Sequence, residues 1–255
     1  MFINTISESK SKTFKECQLK YRYRYVDRLK EESKNTDALH FGSFIHKIFE
    51  DGVAATTLAQ LNVIADNAKK DYTFSESYNP KIEVCLQNFL RFNATLAETV
   101  ATEMVYEVIY DKDKDIKLNG IIDRIIKGKD GGYLVIDYKT SKRELKEIDL
   151  YQDRQMQGYA YAVHKKLGVP LSDIVVAHYY PISNNFVTCK YSPNQIQRYL
   201  KEKVEQIWKI RKMKKVDFCP MENQFCNWCG YKDICPIFND GLAVTKRLEE
   251  RKKKR

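Results

Sequence analysis

The chain has 255 residues, 43% of them hydrophobic, which is enough for a sizeable core, and no apolar run approaches the roughly 18 residues of a membrane span. Lys and Arg number 44 against 34 acidic residues, a formal charge of +10, which suits a polyanionic partner such as nucleic acid. The polar start MFINTISESKSK lacks an apolar signal segment, so the expected compartment is a reducing cytoplasm; there, seven cysteines read as metal ligands and buried thiols rather than a disulfide framework.

Residues 9–30 (SKSKTFKECQLKYRYRYVDRLK) read as partly helical and are dense in Lys, Arg and Tyr. Residues 38–53 form an amphipathic helix pattern, with Phe41, Phe44, Ile45, Ile48, Phe49 and Val53 as its apolar stripe. A mostly helical stretch is expected to about residue 101, broken by Ser-Tyr-Asn-Pro at 77–80. Strands follow at 104–110, 116–128 and 132–141, the last two joined by KDGG, a strong hairpin signal. A helix is expected from about 145 to 167, ending at Gly168 before Pro170. Strands at 175–182 and 186–191 precede Ser192-Pro193, a good N-cap and first-turn proline for a helix to about 213. A basic tail closes the chain, and such tails are typically disordered. Helix, strands, helix, strands indicates an α/β or α+β domain with a mixed sheet.

Four groups carry candidate chemistry. Asp137 and Lys139 lie two apart at the end of the strand YLVI and project to one face. Asp123 ends the preceding strand, and the hairpin can bring both aspartates side by side. Neighbouring carboxylates repel unless a cation neutralises them, which makes a hard ion such as Mg²⁺ or Mn²⁺ plausible. The same residues equally fit a strand-end salt bridge of Asp137 with Lys139 and a pairing of Asp123 with Arg124 or another base. Gly42, His46 and Glu50 repeat every four residues and share a helix face, with Gly42 leaving room for a phosphate or a strand. Gln155 and Tyr159 share another helical face, where an amide and a phenol can position a phosphate or hold the lysine, or simply pack. Finally, FCNWCGYKDICP places Cys226, Cys229 and Cys235 at metal-ligand spacing but leaves a tetrahedral centre one ligand short. Cys219 fits as the fourth ligand of a local zinc site. Cys85 and Cys189 read as buried bystanders.

Taken in order, G-x-x-x-H at Gly42 and His46, G-x-x-D-R through Asp123, I-D-Y-K-T at 136–140 and Q-x-x-x-Y at Gln155 and Tyr159 resemble the RecB-type nucleases of the PD-(D/E)XK superfamily. The resemblance extends from about Ser7 to Pro236. It also covers the cysteines, because the iron–sulfur branch of that family carries S-x-S-…-F-x-x-C-P near the N-terminus and C-x-x-C-…-C-P near the C-terminus. Here the first segment ends at Cys17, with Gln18 in place of the usual proline.

The resemblance implies an α/β (α+β) restriction-endonuclease-like core, a mixed central sheet flanked by helices. A single nuclease domain would span 1–245, with a helical insertion over 38–101, the catalytic sheet over 102–191, a cluster-binding segment over 214–240 and a basic tail over 246–255. It implies a Mg²⁺- or Mn²⁺-dependent DNA exonuclease acting on single strands or ends in recombination, repair or viral DNA processing. His46, Asp123, Asp137 and the Tyr138 carbonyl would hold the metal, Lys139 would stabilise the transition state, and Gln155 and Tyr159 would position the DNA. Cys17, Cys226, Cys229 and Cys235 would hold a [4Fe–4S] cluster, with Zn²⁺ as the alternative. Basic and aromatic residues in KYRYRY would grip single-stranded DNA or pack into the fold. The absence of a Walker motif leaves the chain without a visible motor. It is therefore expected either to be a free-standing exonuclease or to be the nuclease subunit of a complex with helicase- or integrase-type partners, with no membrane. The alternatives are a CRISPR adaptation nuclease and a catalytically silent DNA-binding scaffold.

Overall fold

The computed structural model describes residues 4–32, 36–96, 98–111 and 115–253. Residues 1–3, 33–35, 97, 112–114 and 254–255, the last two belonging to the basic tail, lie outside the described residues. The chain divides into two compact units: a smaller one of Met1–Lys34, Asp111–Lys117 and Lys201–Arg255, and a larger one of Asn35–Tyr110 and Leu118–Leu200.

The larger unit is built on a mixed sheet. Its strands are β2 (Glu98–Asp111), β3 (Ile116–Lys127), β4 (Tyr133–Tyr138), β5 (Ile174–Tyr180) and β6 (Asn185–Cys189). Antiparallel pairing joins β3 to β4 and β5 to β6, whereas β4 and β5 run parallel, and β2 pairs with β3. The central strands are buried on both faces, the usual state of a parallel pair enclosed by helices. That is why YLVI and IVVA read as unbroken apolar runs.

One face carries Ile126, Ile136, Tyr138, Ala177 and Tyr179, which pack into a single core with α3 (Asp37–Asp51), α4 (Leu58–Ala68) and α5 (Asn79–Thr95). Thr36 caps α3 by accepting from the Leu39 N–H, and Thr57 and Gln60 form a capping box on α4. The helical stretch is broken before α5, where a 3₁₀ turn at Glu76–Tyr78 leads into a first turn that contains Pro80. The helical region is shorter than expected, because β2 begins at Glu98.

The helix expected over 145–167 is two helices, α6 (Glu147–Tyr151) and α7 (Arg154–Leu167). Asp153 sits between them in extended geometry (φ −67°, ψ 116°), and its side chain accepts from the N–H groups of Gln155 and Met156. An aspartate in that position caps a new helix better than it continues an old one.

The smaller unit contains β1 (Thr5–Ile6), α1 (Glu8–Glu16), α2 (Gln18–Tyr21), a π-helical turn at Arg22–Val26, the later turns of α8 (Pro193–Lys212) and α9 (Gly241–Lys253). Its N-terminal serine motif is structural. Ser11 Oγ donates to Gln206 Oε1 (2.6 Å) and accepts from the buried Lys203 ammonium (2.7 Å), which also pairs with Glu8. Tyr21 and Tyr23 of KYRYRY are buried, Tyr21 against Phe14 and Phe218 and Tyr23 against Tyr231, so these two rings serve packing. The basic segment is helical as far as Lys253, and Arg251 is buried against Asp233 (2.6 Å).

Candidate active site

The hairpin delivers the carboxylates. The pairing of Arg124 with Ile136 brings Asp123 and Asp137 to the end of the same antiparallel ladder. Asp123 Oδ2 accepts from the Tyr138 N–H (2.8 Å), while Arg124 faces the other side of the sheet, donating to Asn93 Oδ1 (2.6 Å) and Thr99 Oγ1 (2.6 Å). The pairing of Asp123 with Arg124 therefore does not form. Asp137 and Lys139 do pair, at 2.5 Å.

His46 reaches this edge from α3. Its Nε2 lies 2.9 Å from the Tyr138 carbonyl oxygen and its Nδ1 3.4 Å from Asp123 Oδ2. Gly42, one turn earlier, lets the segment after β4 approach closely: a Cβ there would lie 3.2 Å from Thr140 Oγ1. Gln155 does not hold the lysine. Its Nε2 donates to Asp137 Oδ1 (3.0 Å) and to the Tyr159 hydroxyl (2.7 Å), so α7 fixes a carboxylate of β4.

The structure adds Glu103 of β2. One ligand atom each from His46, Glu103 and Asp123 lies within 4.8 Å of the others. Glu103 has a left-handed φ of 45°, an unfavourable conformation for a non-glycine strand residue. In sequence it has the parity of Val105 and Glu107, which are exposed, and no local pattern marks it.

Electrostatics follow from burial. Burial, and then the neighbouring Asp137, push the Asp123 carboxyl up to about 8. Burial also raises Glu103 and lowers His46, keeping its imidazole neutral. Burial works against the Lys139 ammonium, but Asp137 more than offsets it, and the net shift is upward. Beside these groups lies an open recess of about 450 Å³ lined by Gly42, Ser43, His46, Glu103, Asp123 and Thr140, among others.

A second site lies within the smaller unit. Cys17 terminates α1 and caps α2, with its Sγ accepting from the Lys20 N–H (3.4 Å). Gln18, in place of proline, is simply the first residue of α2. Cys226 opens a short 3₁₀ turn at Cys226–Trp228 that Cys229 ends, and Cys235 ends a second at Lys232–Ile234. Gly230 is required between them, because a Cβ there would lie 2.4 Å from the Glu32 carbonyl oxygen. Cys17, Cys226, Cys229 and Cys235 together line a cavity of about 40 Å³ that does not include the exposed Cys219. Burial first, with the neighbouring thiols adding to it, raises Cys235. Cys85 and Cys189 are buried in the larger unit.

A mixed sheet flanked by helices, with two aspartates and a lysine at one strand end, defines a restriction-endonuclease-like nuclease fold. The chain matches the model of the PD-(D/E)XK nuclease superfamily over residues 5–236 and belongs to that superfamily, whose members use divalent metals. It is similar to an ATP-dependent helicase/deoxyribonuclease subunit of Streptococcus agalactiae, with 30% identity over 173 residues, 61% of this chain and 16% of the relative. It also resembles the protein of the same description from Streptococcus mutans, with 29% identity over 153 residues, 54% of this chain and 14% of the relative. The chain thus spans about one sixth of the length of these curated relatives. Among solved structures, a candidate exonuclease from Eubacterium rectale shares the fold, with a TM-score of 0.58 at 16% identity over 89% of this chain and 87% of that one.

Proposed function

We propose that this chain is a Mg²⁺- or Mn²⁺-dependent deoxyribonuclease that hydrolyses phosphodiester bonds at DNA ends or in single strands, in recombination or repair. The observation that carries this reading is the convergence of His46, Glu103 and Asp123 within 4.8 Å, beside the Asp137–Lys139 pair. Carboxylate oxygens with a single neutral imidazole suit a hard divalent ion, and such an ion would offset both the burial and the neighbouring Asp137 charge that raise Asp123. His46, Glu103, Asp123 and Asp137 would hold the ion, with the Tyr138 carbonyl adjoining. When bound, it lowers the pKa of an attacking water and offsets charge on the phosphate.

The chain's own groups do the rest. Gln155 and Tyr159 fix the rotamer of Asp137. Lys139 holds a positive charge beside that carboxylate, where it stabilises negative charge developing on the phosphate. The recess along α3 receives the strand. By analogy with relatives named as helicase/deoxyribonuclease subunits, the motor comes from a helicase partner. A reducing compartment such as the cytoplasm suits the free thiols.

Cys17, Cys226, Cys229 and Cys235 would hold a [4Fe–4S] cluster. Two observations favour it over zinc: Cys219 is outside the shared cavity, and the thiols are widely spread. Among the described residues, the carboxylate–histidine set is the one group of three or more ligand atoms within 4.8 Å. Tetrahedral Zn–S bonds of about 2.3 Å would draw sulfurs to about 3.8 Å apart.

The test is digestion of end-labelled single- and double-stranded DNA with Mg²⁺, Mn²⁺ or EDTA, by wild type, Asp137→Ala and Lys139→Ala. Metal-dependent cleavage by wild type, lost in both variants, is expected. Equal cleavage by all three would falsify the assignment, and tight DNA binding without cleavage would point to a scaffold.

A further inference from the structure

His178 lies outside every motif that marks the site, yet it stands in register with Asp137 across the parallel β4–β5 pair. It is fully buried, and neither ring nitrogen has a hydrogen-bond partner. Buried polar atoms are nearly always bonded, so an orphaned imidazole in the centre of a sheet calls for a reason.

Its surroundings supply one. Nε2 lies 3.9 Å from Asp137 Oδ2 and 3.7 Å from Asp153 Oδ2, just beyond hydrogen-bond length. Gln155 engages the other oxygen of both carboxylates, and the Met156 N–H shares that of Asp153. Asp137 Oδ1 accepts from Gln155 Nε2 (3.0 Å) and Asp153 Oδ1 from the Gln155 N–H (2.7 Å). Gln155 therefore clips the two Oδ1 atoms, and both Oδ2 atoms lie near the imidazole, that of Asp137 also paired with Lys139. Lys139 is the cation in the group, and it is paired with Asp137.

We propose that His178 is a positioning residue: its Nε2–H closes between Asp137 and Asp153 and ties the metal-binding end of β4 to the N-cap of α7. The inference rests on the nuclease reading above. A ring movement of about 1 Å brings either carboxylate within hydrogen-bond distance. The link orients the Asp137 carboxylate and holds Gln155 and Tyr159 in place relative to it. Outer partners of this kind typically govern metal affinity as strongly as they govern rate.

His178→Gln retains an N–H donor near the position of Nε2, whereas His178→Met fills similar volume without one. Mn²⁺ affinity by titration calorimetry should fall about tenfold to a hundredfold in His178→Met and be largely restored in His178→Gln. In DNA cleavage, kcat should follow the same order while KM stays constant. Asp153→Asn should cost less in the His178→Met background than in wild type, because the two residues share one link. Wild-type Mn²⁺ affinity in His178→Met, or equal impairment of the Gln and Met variants, would reduce the ring to packing and overturn the proposal. Should His178→Met melt too early to assay, Asp153→Asn decides. Asparagine keeps the helix cap, so unchanged Mn²⁺ affinity in that variant also overturns the link. The affinity series stands apart from catalysis: absence of cleavage by wild type would sink the nuclease reading, while the Mn²⁺ order would still judge His178.

Discussion

Asp123 and Arg124 are neighbours on β3 and serve opposite faces of the sheet. The carboxylate accepts from the Tyr138 N–H at 2.8 Å, while the guanidinium is bound to Asn93 and Thr99 and stacked near Phe89 and Phe92. Strand geometry thereby denies Asp123 its nearest cation in sequence, and the carboxyl remains raised to about 8.

That shift has a consequence for stability. Between the ordinary carboxyl range and about pH 8, the folded state of the metal-free protein holds this proton more tightly than the unfolded chain does. The contribution is fully present at acid pH and is lost as pH rises through about 8. The expected slope is no steeper than about 1.4 kcal/mol per pH unit. Urea unfolding at a series of pH values, wild type against Asp123→Asn, isolates it: the difference between the two curves should change with pH over that window. A pH-independent difference would show that Asp123 titrates normally.

On the proposed reading, Glu103 couples strain to metal binding. Glycine at this position removes a proposed ligand but also removes the cost of a left-handed φ of 45°. Glu103→Gly should therefore lower Mn²⁺ affinity at least tenfold while leaving metal-free stability unchanged or about 1 kcal/mol higher. Glu103→Gln should lower affinity with no such gain. Calorimetric titration together with thermal melts separates the two effects, and a clear loss of stability in the glycine variant would contradict the account.

Gln155 acts on the carboxylate of Asp137. Gln155→Leu leaves Asp137 Oδ1 without its amide donor and should lower kcat by about tenfold to a hundredfold. DNA affinity, measured in the presence of Ca²⁺ to block turnover, should change little. A selective loss of DNA affinity would instead place Gln155 on the substrate.

The thiols offer a spectroscopic prediction. In anaerobically purified protein, Cys17→Ser should abolish the visible absorbance and iron content expected of a cluster and lower the melting temperature, since Cys17 is joined to Cys229 and Cys235 in one packed group. Cys219→Ser should change neither, because that thiol is exposed and outside the cavity. Loss of stoichiometric zinc in Cys219→Ser, with Cys17→Ser unaffected, would establish the local zinc site.

Much of this molecule is decided locally and is legible in the chain. Alternation marked β2 and apolar runs the central strands, KDGG marked the hairpin, and Ser192-Pro193 marked the start of α8, because periodicity, turn chemistry and capping act within a few residues. Asp123, Asp137, Lys139 and His46 stood out by residue type and spacing. Their partners did not. That Gln155 grips Asp137 rather than Lys139, and that Arg124 turns away from Asp123, depends on strand register and on which helix covers which face. Glu103 enters the site through one left-handed residue, and His178 meets Asp137 through a parallel pairing that spans a whole crossover. The order of residues marked the candidate groups, because side-chain identity and short-range geometry are written in it. Which of those groups face each other was decided only by tertiary structure, because long-range pairing and burial place residues that the chain keeps far apart.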